Sequence, residues 1–438
     1  MQNEPKTSLV WFRNDLRTFD NSSLTKAKKS GKRIVAVYCF DPRHFQVGPF
    51  SFKKTEKFRV KFLLETIEVL KENLENLNIT LFTYFDRPEH IIPQLVQKLS
   101  VHSIFLQKEW TSEETFVLEE VKRKTPSTIK FVESYDQFLY HPEDISFDIA
   151  KLPRVFTEFR KICENKNTVR KALPSPDKLD QENKISNDTV IPSLEDLGYE
   201  TFDLHPQSAF SFQGGEIEGR NRLHSYLWKT KKLLTYKKTR NGLIGADYSS
   251  KLSAWLANGS LSPRSIYWEI KEFEHQVEKN ESTYWLVFEL IWRDFFKYVS
   301  LRHGNQIFKQ QGILDRTYKW DDNADLIDQW INGKTKSSFV NANMIEIKKT
   351  GWMSNRGRQN VASYFAKELM LDWRIGASYF ESMLLDYDVH SNYGNWMYVA
   401  GVGNDPRDRK FNVSLQAERY DPQGKFQQLW LQSSLFDF

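Results

Sequence analysis

The sequence predicts an α/β N-terminal domain, with a Rossmann-like, parallel five-stranded sheet, joined by a long linker to an all-α domain. Three observations predict it. Short apolar runs alternate with helical patterns over the first 140 residues; a stretch rich in Pro, Asn, Asp, Ser and Lys follows; from Glu216 onward helical periodicity continues without strand patterns. The 438 residues also exceed the roughly 250–300 at which a single core stops growing, so more than one domain is expected.

The predicted strands are SLVWF (8–12), RIVAVYCF (33–40), NITLFTYF (78–85), HSIFLQ (102–107) and IKFVESY (129–135). Between them, residues 55–77 carry apolar side chains at i, i+3, i+4 and i+7, and TSEETFVLEEVKRKT opens with Thr and Ser ahead of acids, an N-cap pattern. Such alternation implies βαβ units and a mostly parallel sheet. The first strand runs into WFRNDLRTFDN rather than G-x-G-x-x-G, so a dinucleotide site of the usual Rossmann kind is not supported. A ligand of this domain is expected beyond the carboxyl ends of the strands, where RNDLR, FDPRHF and QKEW emerge. The predicted divisions are 1–140 for this domain, 141–215 for a linker over the surface with one short helix at VFTEFRKIC, 216–425 for the helical domain and 426–438 for a C-terminal tail.

Composition narrows the class. A net charge of +5 and a pI near 8.8 are compatible with a polyanionic partner without requiring one. Cys39 and Cys163 lie too far apart in sequence to build a disulfide framework or a Cys-rich metal site, so a reducing, cytoplasmic setting and no metal are expected. The N-terminus lacks a signal-peptide pattern and no apolar run is long enough to span a bilayer, so neither targeting nor a membrane partner is expected. Aromatic residues make up 14% of the chain, and 11 of the 13 Trp fall at Trp228 or later, so whatever uses indole belongs to the second half.

Four stretches there carry candidate chemistry. In ADYSSKLSAWLANGSLSPR, Ser249, Ser250 and Ser253 surround Lys251 ahead of a helix, a pattern suited either to phosphate or to an ordinary N-cap. In ELIWRDFF, Glu289, Trp292 and Arg293 share a helix face, where the Glu and Arg can pair; a structural ion pair would read the same way. GWMSNRGRQNVASYF crowds Asn355, Arg356, Arg358 and Gln359 at a helix entry, as donors to a heterocycle or phosphates or as a solvated basic end. Finally, Asp386 and Asp388 of LLDYDVHSNYGNW follow the helix DWRIGASYFESMLL at its C-terminal end, where the macrodipole disfavours anions, so Arg358 or Arg293 is expected to offset them.

In order and spacing, Tyr236, SSKLS, ELIWRDFF, GWMSNRGR, DWR, DYD-x-x-SN and GNW resemble the photolyase and cryptochrome flavoproteins over nearly the whole chain. Within that family TRNGLIGADYSSKLS, NRGRQNVAS and GNWMYVAGVGNDPRDRKFN resemble the cryptochrome DASH branch. The resemblance implies FAD in the helical domain, with Tyr236, Ser249, Ser250, Lys251, Leu252 and Ser253 around its phosphates. Glu289, Arg293, Arg358, Asp386, Asp388 and Asn392 then surround ribose, adenine and isoalloxazine, with Asn392 at flavin N5. Trp320, Trp373 and Trp396 correspond to the family's electron-transfer chain, and Tyr398 stands where some photolyases show a further Trp.

At the lesion end the resemblance implies Trp292 stacking on a flipped pyrimidine pair with Gln359 close by, and Arg240, Asn355 and Arg356 on the DNA backbone beside the basic run WKTKKLLTYKKTR. The activity implied is light-dependent repair of cyclobutane pyrimidine dimers, mainly in single-stranded DNA, by a monomer; the other expectation is a blue-light receptor that signals without repair. Ser354 and Gln359 occupy the places where (6-4) photolyases carry two histidines, which disfavours that substrate. The branch also implies a 5,10-methenyltetrahydrofolate antenna contacted by Glu109. Outside the family pattern, the end WLQSSLFDF places Gln432, Leu435 and Phe436 as in the Q-x-x-L-F peptides that dock on the bacterial sliding clamp; a frayed or core-packed terminus is the plainer alternative.

Overall fold

The computed structural model describes residues 6–433. Its first part is a five-stranded sheet in the order β3-β2-β1-β4-β5, with all four pairings parallel. The strands are β1 (Thr7–Trp11), β2 (Arg33–Cys39), β3 (Thr80–Tyr84), β4 (Val101–Gln107) and β5 (Lys130–Ser134), connected by α1 (Ser22–Lys29), α2 (Lys57–Asn76), α3 (Pro88–Lys98) and α4 (Ser112–Lys124). Central β1 is buried along its whole length, with Leu9 opposite Val35 on one side and Ile104 on the other. Covered on both faces, its strands read as nearly continuous apolar runs. Thr111 stands at the N-cap of α4 but does not cap it: its hydroxyl donates to Glu114 instead.

The segment that follows carries α5 (Phe156–Lys166) and then runs without α-helix or strand along the α/β domain. It is pinned rather than loose. The Asn187 amide donates to the Leu81 carbonyl at 2.7 Å, and Thr189 Oγ1 accepts from the Thr83 N–H at 2.9 Å. These bonds satisfy backbone groups of the edge strand β3 that would otherwise invite pairing with another chain.

The second part is helical: α6 (Glu216–His224), α7 (Tyr236–Thr239), α8 (Ser253–Asn258), α9 (Pro263–Gln276), α10 (Glu281–His303), α11 (Ala324–Ile331), α12 (Ser338–Thr350), α13 (Asn355–Ser363), α14 (Trp373–Met383), α15 (Val389–Ala400), α16 (Val413–Tyr420) and α17 (Lys425–Ser433). Long α10 starts with a full capping box on Asn280 and packs against α15, which also packs against α14. No helix among the described residues is long and apolar enough to cross a membrane.

The two parts interlock through buried polar groups. Arg264 of α9 reaches Asp20 at 2.7 Å and Asp136 at 3.1 Å, with all three side chains at most 3% exposed. Arg17 donates to the Gly259 carbonyl at 2.8 Å, and a Cβ at Gly259 would lie 1.9 Å from the Asn14 carbonyl oxygen. Within the RNDLR loop at the carboxyl end of β1, Asp15, Leu16 and Arg17 are thus buried by the helical part, while Arg13 is half-buried and Asn14 exposed.

Candidate functional site

A cavity of about 90 Å³ opens between α13, α14 and α15, lined among others by Asn355, Arg358, Asp386, Asp388, Asn392 and Trp396.

Asp388 is the first correction. It is the N-cap of α15, not an anion stranded at the C-terminal end of α14, and its Oδ1 accepts the Ser391 N–H at 2.8 Å. At a helix N-terminus the macrodipole favours a carboxylate. Lys297 of α10 donates to its other oxygen at 2.8 Å, and Arg293 lies 3.8 Å away. Burial alone would raise this carboxyl, but Lys297, His390 and Arg293 outweigh it and hold Asp388 well below the usual range. Lys297 escaped the sequence reading. Its signal was present, a lysine one turn beyond Arg293 inside an apolar run.

Asp386 pairs with Arg358, one of the two arginines offered as an offset, through two contacts of 2.9 and 3.0 Å from one guanidinium nitrogen. Ser253 Oγ adds a bond of 2.7 Å, so one carboxylate ties α8, α13 and the α14–α15 connection together. Arg358 itself is held by the Met353 carbonyl at 2.9 Å, and Ser354 is the N-cap of α13. Asn392 is buried and donates from its amide to the Ala377 carbonyl at 3.0 Å, which fixes its side chain at the cavity wall.

The Ser249–Ser253 segment is clamped from behind by Arg222, which donates to the carbonyls of Ala246, Ser249 and Ser250 at 3.0–3.2 Å. Leu252, at the N-cap position of α8, is buried and makes no side-chain cap, so the ordinary-cap alternative fails here. Lys251 adopts a left-handed backbone (φ +62°), a strained state for a non-glycine residue that is found preferentially at functional sites. Its ammonium lies 3.4 Å from the ring centre of Tyr248 and 4.5 Å from that of Trp352, without a hydrogen-bond partner among the described residues. Tyr236, at the start of α7, is buried in the same core, edge-on to Tyr226.

Glu289 and Arg293 share a face of α10 but do not pair. Glu289 binds Arg240, whereas Arg293 donates to the carbonyls of Gln137 and Leu256 at 2.6 and 2.8 Å. Trp292 is covered on one face by Phe156 of α5, ring centres 3.6 Å apart and nearly parallel, and is not among the cavity-lining residues. Gln359 and Asn355 do line the cavity. Arg356 is engaged by Gln359 at 2.9 Å and Asn241 at 3.1 Å.

Of the three tryptophans, one is half-buried and two are buried. Trp320 is half-buried; its neighbour Asp321 bonds through its backbone to Met370 and Asp372, immediately before Trp373. Trp373 is fully buried and donates to the Gln310 carbonyl at 3.0 Å. Trp396, 2% exposed, lies over Gly376, one turn along α14 from Trp373, and borders the cavity. Trp330, not anticipated, packs against Trp396 and Phe365. Tyr398 accepts from Arg409 at 3.1 Å. Glu109 is buried at the end of β4, bonded by Gln107 at 2.7 Å, and burial pushes it up to about 6 against the pull of Arg13 and Lys297. The adjoining Trp110 stacks on His390, joining this corner to the start of α15. Gln432 lies exposed in the last turn of α17; Leu435 and Phe436 lie outside the described residues.

Residues 285–434 match the family described as the FAD binding domain of DNA photolyase, and residues 8–177 match the DNA photolyase family. The chain is 45% identical over 434 residues to the protein named Cryptochrome DASH of a Synechocystis species, covering 98% of this chain and 88% of that one. It is 46% identical to the Xenopus laevis protein of the same name, covering 96% and 81%. Its fold is similar to the crystal structure of Synechocystis cryptochrome (TM-score 0.93, 43% identity, 99% and 90% of the two chains). It is also similar to an archaeal photolyase of Sulfolobus tokodaii solved with two FAD molecules (TM-score 0.77, 26% identity, 98% and 91%).

Proposed function

We propose that this chain, which belongs to the photolyase and cryptochrome family and within it to the cryptochrome DASH branch, repairs cyclobutane pyrimidine dimers in single-stranded DNA under blue light. The observation that carries the reading is the convergence of Arg358-held Asp386, Lys297-held Asp388, Asn392 and Trp396 on one cavity wall. The residues suit FAD. Two carboxylates, Asp386 and Asp388, can accept from ribose hydroxyls or ring N–H groups, and the strained Ser249–Ser253 segment with its unpartnered lysine suits a diphosphate. When bound and reduced, the flavin supplies the chemistry: light-driven donation of one electron to the dimer, which returns once the ring has opened.

The chain's own residues hold and tune that site. Lys297 and Arg293 keep Asp388 an acceptor, and Asn392 presents a neutral amide, the residue type that in this family accompanies the fully reduced flavin. Trp396, Trp373 and Trp320, ordered from the cavity to a half-buried position, are the proposed route for refilling it with electrons. Trp292 and Gln359 are the proposed lesion contacts, while Arg240, Asn355 and Arg356 contact the backbone of the strand. Dimers in single strands are the favoured substrate because extrusion of the lesion is least costly there. Glu109 is the proposed contact of a 5,10-methenyltetrahydrofolate antenna, and the chain acts as a monomer in the cytoplasm. The division at 1–140, 141–215, 216–425 and 426–438 is proposed for antenna, linker, flavin and tail, although α17 packs its Phe426 and Trp430 on α12, so only the end of the last segment can act as a tail. Gln432, Leu435 and Phe436 are the proposed sliding-clamp contact.

The test is direct. Photoreduced, purified protein illuminated with dimer-containing single-stranded oligonucleotides should restore intact pyrimidines. A flavoprotein that restores none would leave the signalling role in place of repair. A near-ultraviolet band beside the flavin absorption identifies the folate.

A further inference from the structure

The protein's unexplained buried ionisable pair is Lys251 and Glu346. Both are at most 2% exposed, and both Lys251 Nζ and Glu346 Oε2 lack a hydrogen-bond partner among the described residues. A structural ion pair buried this deeply would be expected to close into contact, because only good geometry repays the desolvation of two charges. This one has not closed. Lys251 instead lies over Tyr248 and Trp352, and Arg358, the partner of Asp386, lies over the same Trp352 at 5.5 Å. Glu346 belongs to α12 and was not singled out in the sequence.

We infer that Glu346 is a positioning residue of the dinucleotide site: it carries a proton when the dinucleotide is bound, so that Lys251 faces the phosphates as an uncompensated cation. The inference rests on the FAD reading and deepens it. The ionisable groups facing Glu346 are Lys251, Arg358 and Tyr248, and Arg222 and Asp386 face Lys251. From the other helices packed on α12, α11 contributes apolar residues such as Leu326 and Ile327, α16 contributes Ala417 and Tyr420, and α17 contributes Phe426 and Trp430. Burial pushes Glu346 up to about 8 despite Lys251 and Arg358, and pushes Lys251 well below the ammonium range. Without ligand, one proton is shared between two groups that each resist being charged. A diphosphate favours the ammonium and disfavours a second anion beside it, so the complex holds both protons and binding takes up one.

Infrared spectroscopy of the FAD-bound protein tests this. At neutral pH a protonated-carboxyl stretch that shifts on ¹³C-carboxylate labelling of glutamate should be present, absent in Glu346→Gln and moved rather than lost in Glu346→Asp. In the wild type, which needs no variant to fold, FAD affinity should fall severalfold as pH rises from 7 to 9, up to tenfold per pH unit for one linked proton. FAD bound with no such band, or with an affinity flat over that interval, overturns the inference alone. A protein that takes up no FAD at any pH overturns the flavin reading and this inference with it.

Discussion

Replacing Lys297 with Met isolates the electrostatics of the cavity wall. Lys297 Nζ lies 2.8 Å from Asp388 Oδ2, with side chains 3% and 10% exposed, and removing one partner of so buried a pair costs about 3–5 kcal/mol. Two donors remain to the carboxylate: the Ser391 N–H at 2.8 Å and Arg293, which from 3.8 Å can move closer. The expected loss is therefore about 2–3 kcal/mol. The partners do not benefit equally, since burial keeps Lys297 below the usual ammonium range even beside Asp388. The carboxylate side is the better guide, because it has the additional donors.

The sign of the pH dependence follows. A carboxyl held low in the folded protein contributes fully above its ordinary value of about 3.9 and loses that contribution as pH falls below it. Urea unfolding of wild type and Lys297→Met should therefore differ most near pH 7 and converge below about pH 4. Adding Asp388→Asn should recover part of the loss, giving a coupling energy of about 1 kcal/mol or more. Purely additive losses, or a gap unchanged at low pH, would refute the argument that Lys297 acts by neutralising Asp388.

Trp396→Phe should keep FAD bound while slowing flavin photoreduction more than tenfold under steady illumination, and unimpaired photoreduction removes that residue from the route. Gly376→Ala places a methyl where a Cβ would lie 2.3 Å from the Trp396 ring, so it should destabilise the protein by about 1–3 kcal/mol in thermal or urea unfolding; unchanged stability would mean that the ring gives way freely. Deleting residues 432–438 should abolish binding to a bacterial sliding clamp in surface plasmon resonance with flavin content unchanged. No binding by the full chain ends that idea.

Much of the architecture was legible. All five strand runs, the helices at 55–77 and 112–124, and the short helix inside the linker depend on periodicities that a few neighbouring residues express. The edge-capping role of the linker was not legible, because Asn187 and Thr189 read as polar loop residues until β3 is seen beside them, 106 positions away. In the site, the sequence offered Arg358 or Arg293 as the offset to the two carboxylates without assigning either, and the fold gives Arg358 to Asp386 while Arg293 stands 3.8 Å from Asp388. Glu289 and Arg293 were matched to each other wrongly, since sharing a face of one helix is less decisive than what the facing elements offer: Arg240 to one, and the Gln137 and Leu256 carbonyls to the other.

The sequence by itself determined the two-part fold, the order of the motifs and the family, because these reside in local pattern and spacing. The tertiary structure alone decided which charges meet. Asp388 changed from an ill-placed anion to a favourable N-cap because the chain turns after Leu384 and starts a new helix at Val389, and its cation arrives from Lys297, 91 positions earlier. Contacts at such separations are set by how helices pack, and packing depends on the whole core rather than on any stretch of it.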